Sequence, residues 1–104
     1  MLQLNGGTVT MTGDIVKISA ASTATVNLAG ATLDMGGKNI GTASIPLTNF
    51  NFTGGILTNL GTIFQPLTQN GTATVLNVTA NNAIVNGAAY TLTSGTANIA
   101  DAKT

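Results

Sequence analysis

Two short stretches set the rhythm of this chain: VNLAGA at residues 26 to 31 and FNFTGG at residues 50 to 55. Each places an Asn between two large apolar residues, then a small residue, then a turn led by glycine. Shifting the chain by 24 aligns Leu2-Gln3-Leu4-Asn5-Gly6-Gly7-Thr8-Val9 with Val26-Asn27-Leu28-Ala29-Gly30-Ala31-Thr32-Leu33. A second shift of 24 reaches Phe50-Asn51-Phe52-Thr53-Gly54-Gly55-Ile56-Leu57, and Gly13, Gly37 and Gly61 fall in the same register. Further copies start at Leu76-Asn77-Val78 and, more weakly, at Ala97-Asn98-Ile99. The unit starts are then 2, 26, 50, 76 and 97, with spacings of 24, 24, 26 and 21. Thr23-Ala24-Thr25-Val26 also returns as Thr72-Ala73-Thr74-Val75, which supports a period of two units.

Within a unit the pattern has period two, the signature of a strand with one buried face. Val26 and Leu28 point one way and Asn27 the other. Beyond the Gly30-Ala31 corner, Leu33 and Met35 take the apolar role against Thr32 and Asp34. The alternation weakens in the next unit, at Ile56 to Asn59. A third segment is Ile15-Val16-Lys17-Ile18, matched by Asn39-Ile40-Gly41-Thr42 and, with a slip of one, by Thr62-Ile63-Phe64-Gln65. Each unit therefore predicts three short strands separated by Gly, Asn, Ser or Pro corners.

Three strands in so few residues bury no face alone, but stacked units share a core and pair edge to edge. The pattern predicts an all-β, right-handed parallel β-solenoid of about four coils of ~24 residues, forming a single domain or segment over residues 1–104. An antiparallel β-sandwich is the competing fold, since closely spaced turn signals suit it too. Pro46 and Pro66 lack the amide a ladder needs and belong at corners or bulges. Gln65 to Gly71 reads as a loop that swells the third coil.

If the apolar pairs point inward, Asn27 and Asn51 point outward. Stacking then predicts one column of Gln3, Asn27, Asn51, Asn77 and Asn98, bonded amide to amide as in a cross-β ladder. The alternative is that these are merely polar residues on half-buried strands.

Composition strengthens the strand assignment. The 104 residues include 19 Thr, 13 Gly and 12 Asn, and no Glu or Arg, so helix formers are scarce. Charged residues make up only 6%, with net charge zero from Lys17, Lys38 and Lys103 against Asp14, Asp34 and Asp101. A phosphate backbone is held by several cationic contacts, so nucleic acid is not an expected partner. No apolar run approaches the length of a membrane-spanning helix, and membrane insertion is not expected. Without Cys there is no disulfide and no thiolate metal site. The first residues carry no secretion signal, so a secreted chain would be a mature form or a fragment.

Gly6-Gly7-Thr8-Val9-Thr10-Met11-Thr12-Gly13 and Gly30-Ala31-Thr32-Leu33-Asp34-Met35-Gly36-Gly37 resemble the Gly-Gly-Thr-apolar units of bacterial autotransporter passengers and related β-helical adhesins. They are also similar to repeats of phage tail-fibre shafts. The resemblance implies a secreted or surface-exposed, rod-like structural role. The chain departs from full autotransporters in showing no membrane-barrel segment.

Candidate chemistry is sparse. Without His, Cys, Arg, Glu or Trp, acid–base work would fall to three Asp, three Lys and Tyr90. Asp14 and Asp34 occupy different parts of the unit, and Asp101 falls far from both. No catalytic residue, cofactor site or metal site is expected, and the protein is expected not to be an enzyme. The Gly-Gly-x-Gly-x-Asp calcium repeat is absent, with Lys38 where an Asp is wanted. Thr pairs at 8/10/12, 23/25, 72/74 and 91/93 do not align at a shift of 24, so no ice-binding Thr array is expected. Three N-x-T sequons, at Asn51, Asn70 and Asn77, are incidental in a chain this rich in Asn and Thr. Phe50, Phe52, Phe64 and Tyr90 are the aromatics a sugar could stack on; Phe50 and Phe52 sit at apolar repeat positions, and Tyr90 is the one retained as a candidate surface contact. The expected partners are a second copy, stacked head to tail or in a fibre trimer, and a glycan or host surface.

Overall fold

The computed structural model describes residues 2–16, 19, 21, 23–79 and 90–99. Among these residues six strands carry the fold: β1 (Leu2–Leu4), β2 (Thr8–Thr10), β3 (Thr25–Asp34), β4 (Asn49–Thr58), β5 (Leu67–Val78) and β6 (Tyr90–Ile99). They form one sheet in the order β1-β3-β4-β5-β6, with β2 also paired to β3. Every strand pairing among the described residues is parallel, which sets the antiparallel sandwich aside. The fold is a β-solenoid of about three turns, where the repeat spacing predicts about four.

Each long strand bends at a glycine-bearing corner and serves two arms of the coil. On the first arm, Leu2, Val26, Phe50, Leu67 and Tyr90 stack in one column, and Leu4, Leu28, Phe52, Gln69 and Leu92 in another. The second arm stacks Val9, Leu33, Leu57, Leu76 and Ala97. On a third face the described residues form two single bridges, Ile15 to Ile40 and Ile40 to Ile63. Apolar residues of all three faces meet in one core, in which Leu28, Leu33, Ile40, Phe52, Leu57 and Ile63 are fully buried. The corner also changes which parity faces inward. On β3 the buried residues are Val26 and Leu28 before it, then Ala31 and Leu33 after it.

The structure corrects the repeat from the third unit onward. Val26 lies opposite Phe50 and Leu33 opposite Leu57, as the repeat requires. Phe50, however, lies opposite Leu67, and Leu57 opposite Leu76. The third turn is therefore shorter than the turns before it, not swollen. Leu76 belongs to the second arm, so the copy beginning there is one arm out of place. The Leu76 to Ala97 step does join true neighbours. The match between Thr23–Val26 and Thr72–Val75 fails as an equivalence, because Val26 is a first-arm residue and Val75 a second-arm one.

The stretch read as a loop is where β5 begins. Pro66 is exposed immediately before the strand, where its missing amide costs nothing, and Leu67 to Asn70 alternate buried and exposed. The inward partner of Leu67 is Gln69, a polar residue in a core slot, and this hides the alternation from the hydrophobic pattern.

Candidate functional site: an amide ladder beside an open groove

The outward side of the first arm carries the amides that recur in sequence. Gln3 donates from Nε2 to Asn5 Oδ1 at 2.8 Å. Asn27 Nδ2 donates to Gln3 Oε1 at 3.0 Å, and Asn51 Nδ2 to Asn27 Oδ1 at 2.9 Å. Three rungs are thus tied side chain to side chain. The column then stops, because Thr68 stands opposite Asn51. Asn77 and Asn98 form a separate pair on the second arm, with Asn98 Nδ2 donating to Asn77 Oδ1 at 3.0 Å. The single five-membered column is therefore corrected to two shorter ones. The shortened third turn moves Asn77 off the arm that bears Asn51.

The two described aspartates also tie rung to rung. Asp14 Oδ1 accepts from the Asn39 backbone N–H at 2.8 Å. Asp34 Oδ1 accepts from Asn59 Nδ2 at 3.0 Å and from the Gly36 N–H at 2.9 Å. Asn39 continues this pattern, its Oδ1 accepting from the Thr62 N–H at 2.9 Å. The hydrogen bond from Asn59, then that from Gly36, hold the Asp34 carboxyl below its ordinary value of 3.8. A depressed folded-state value stabilises the fold above about pH 3.8, and this contribution is lost as pH falls through the folded value. Asp34→Asn is therefore expected to flatten the acid limb of a thermal-melting profile below pH 4 relative to the parent chain. An unchanged acid limb would show that this carboxylate does not carry it.

A second polar cluster is not legible as such in the sequence, and it lies inside the coil. Gln69 is fully buried. Its Nε2 donates to Thr74 Oγ1 at 2.9 Å and to the Thr96 carbonyl at 3.0 Å, while its Oε1 accepts from the Tyr90 hydroxyl at 2.6 Å. The Thr74 hydroxyl donates to the Gly71 carbonyl at 2.6 Å. Tyr90, expected as a surface contact, is thus half-buried against the core with its hydroxyl engaged inward, and burial pushes its phenol up. Tyr90→Phe removes the only donor to Gln69 Oε1 among the described residues. It is expected to cost about 1–2 kcal/mol in urea unfolding, the penalty of an unsatisfied buried acceptor. No measurable loss would place that oxygen in water. Gln65 is also buried, its Oε1 accepting from the Leu47 N–H at 3.1 Å and its Nε2 without a partner among the described residues.

Beside the ladder runs an open groove lined by Gln3, Asn27, Ala29, Asn51, Thr53, Thr68 and Asn70. Its lining is uncharged amide, hydroxyl and methyl groups, which can exchange hydrogen bonds with a hydroxyl-rich ligand. Phe50 and Phe52 are buried in the core. Thr8 stacks on Thr32 and Thr68 on Thr91, but Thr10 meets Asp34 and Thr32 meets Ile56, so the Thr pairs make no continuous array. No group of three metal-ligating side chains occurs among the described residues. Asp101, Lys17 and Lys103 lie outside the described residues. The chain matches no protein-family model, no curated protein and no solved structure.

Proposed function

We propose that this protein is a structural, non-enzymatic β-solenoid segment of a surface or extracellular adhesin or fibre, serving as a stiff spacer and contact surface. The observation that carries this reading is where the polar side chains direct their hydrogen bonds. Gln3, Asn27 and Asn51 bond to one another across rungs, and Asp14, Asp34 and Asn39 each bond to the following turn. Such bonds fix the register of a rod and leave little polar chemistry convergent on a substrate. The test is antibody labelling of source cells before and after permeabilisation. Labelling of intact cells is expected, and labelling that appears only after permeabilisation would overturn the surface assignment.

The groove favours a second reading, recognition of a neutral carbohydrate by the same face. Its lining is uncharged and rich in amide and hydroxyl groups, the complement of sugar hydroxyls. A glycan array should then give a defined hit that is lost on Thr53→Lys, an exposed groove position. An array without hits would leave the spacer role alone.

A further inference from the structure

Both ends of the described coil are open apolar rungs. At one end Leu2 is 41% exposed, and Leu4, Val9, Met11 and Ile15 are only partly buried. At the other, Leu92 is 46% exposed, and Tyr90 and Ala97 are only partly buried. In the middle of the same columns, Leu28, Phe52, Leu33 and Leu57 are fully buried. The strands at the two ends, LQL, TVT and YTLTSGTANI, contain no Lys, Asp or Pro. They lack the charges and prolines by which natural sheets blunt their edges.

The two ends also match in spacing. From the first-arm column to the second-arm column is six residues in β1 and β2 (Leu2 to Thr8) and six in β6 (Tyr90 to Thr96). In β5 the same interval, Leu67 to Val75, is eight. The irregularity of β5 is therefore not passed on to β6, whose arms return to the geometry of the first rung.

Resting on the structural reading above, we propose that copies of this chain stack head to tail, β6 of one pairing in parallel with β1 and β2 of the next. The register sets Tyr90 on Leu2, Thr91 on Gln3 and Leu92 on Leu4, then Thr96 on Thr8, Ala97 on Val9 and Asn98 on Thr10. Apolar residues then cover the apolar columns at both ends. Outward positions meet polar to polar, and the Thr10 hydroxyl faces Asn98, whose Nδ2 is already given to Asn77. None of the residues so paired carries a charge.

The absence of cysteine makes the register testable with two introduced thiols. Gln3 and Thr91 are exposed and lie four rungs apart, ~19 Å, within one copy, so a Q3C/T91C disulfide must join two copies. In the stacked register they come within ~5 Å, whereas pairing Q3C with T93C adds ~6.6 Å along the strand. Mild oxidation should therefore give about tenfold more covalent oligomer for Q3C/T91C than for Q3C/T93C. Negative-stain microscopy and light scattering of the unsubstituted chain should show filaments, and Leu92→Lys, which keeps its own coil, should return monomers. Filaments that cross-link equally through both pairs, or better through Thr93, would overturn the register while leaving self-assembly. A monomer at every concentration would overturn the stacking itself, and the surface test above would still decide the spacer role.

Discussion

Replacing Phe52 with Asp should leave the chain unfolded in water at neutral pH, whereas Asn51→Asp, one residue away, should cost about 1 kcal/mol. The difference follows from the face each side chain occupies. Phe52 is fully buried, stacked between Leu28 and Gln69 in the core column of the first arm. Losing the ring alone costs about 3–5 kcal/mol, and an unpaired carboxylate in that slot adds a desolvation penalty of several more. Together these reach the whole stability of a domain of this size, about 5–15 kcal/mol. Asn51 is exposed, and its contribution is one amide donated to Asn27 Oδ1. An Asp there loses that donor but keeps its own hydration. Far-UV circular dichroism with urea titration separates the two: a lost cooperative transition for Phe52→Asp, a shifted midpoint for Asn51→Asp. Equal tolerance of both would mean that the faces of β4 are assigned the wrong way round.

The first two turns are legible in the sequence because every inward slot on the first arm holds an apolar residue: Leu2 and Leu4, Val26 and Leu28, Phe50 and Phe52. The register is lost after Phe52 for two physical reasons. From Ile40 on the third face the chain takes ten residues to reach Phe50, but from Ile63 only four to reach Leu67. A connection can shorten by this much without disturbing the rungs, since backbone hydrogen bonds hold them. The second reason is Gln69, a core residue whose polar groups are satisfied internally by Tyr90, Thr74 and Thr96. A hydrophobic pattern passes over such a residue.

The confusion of Leu76-Asn77-Val78 with Val26-Asn27-Leu28 has a different origin. Both arms alternate inward and outward with period two, so an apolar-Asn-apolar triplet fits either one. Sequence alone shows that Asn77 faces outward and does not show from which arm. The same limit divides the ladder. Gln3, Asn27 and Asn51 are legible as one column and Asn77 with Asn98 as neighbours, but not the break between them. The aspartate ties do carry a signal, though apolar alternation does not reveal it: Asp14 and Asn39, like Asp34 and Asn59, stand 25 residues apart, close to the period.

The second large effect is expected at the corner that joins the arms. Gly55 has φ of +87°, and a Cβ built there would run into the Ala31 carbonyl oxygen of the rung below, with the Gly30 and Ala31 carbonyl carbons at 2.8 and 2.9 Å. All three obstacles are backbone atoms, which yield only if β3 and β4 separate. The left-handed conformation alone costs an L-residue about 1–3 kcal/mol, and opening the rung adds the loss of neighbouring ladder bonds. Gly55→Ala is therefore expected to lose about 3 kcal/mol or more by urea unfolding. Gly55→Val should be worse by a smaller step, because the obstruction begins at the first carbon. Gly6 provides the contrast, since a Cβ there meets nothing within 4 Å and its φ is not positive. Gly6→Ala should be neutral or stabilise by about 0.4–1 kcal/mol through the unfolded chain. A neutral Gly55→Ala would mean that the rungs do not close at this corner. The bend that lets one strand serve two arms of the coil would then have another cause.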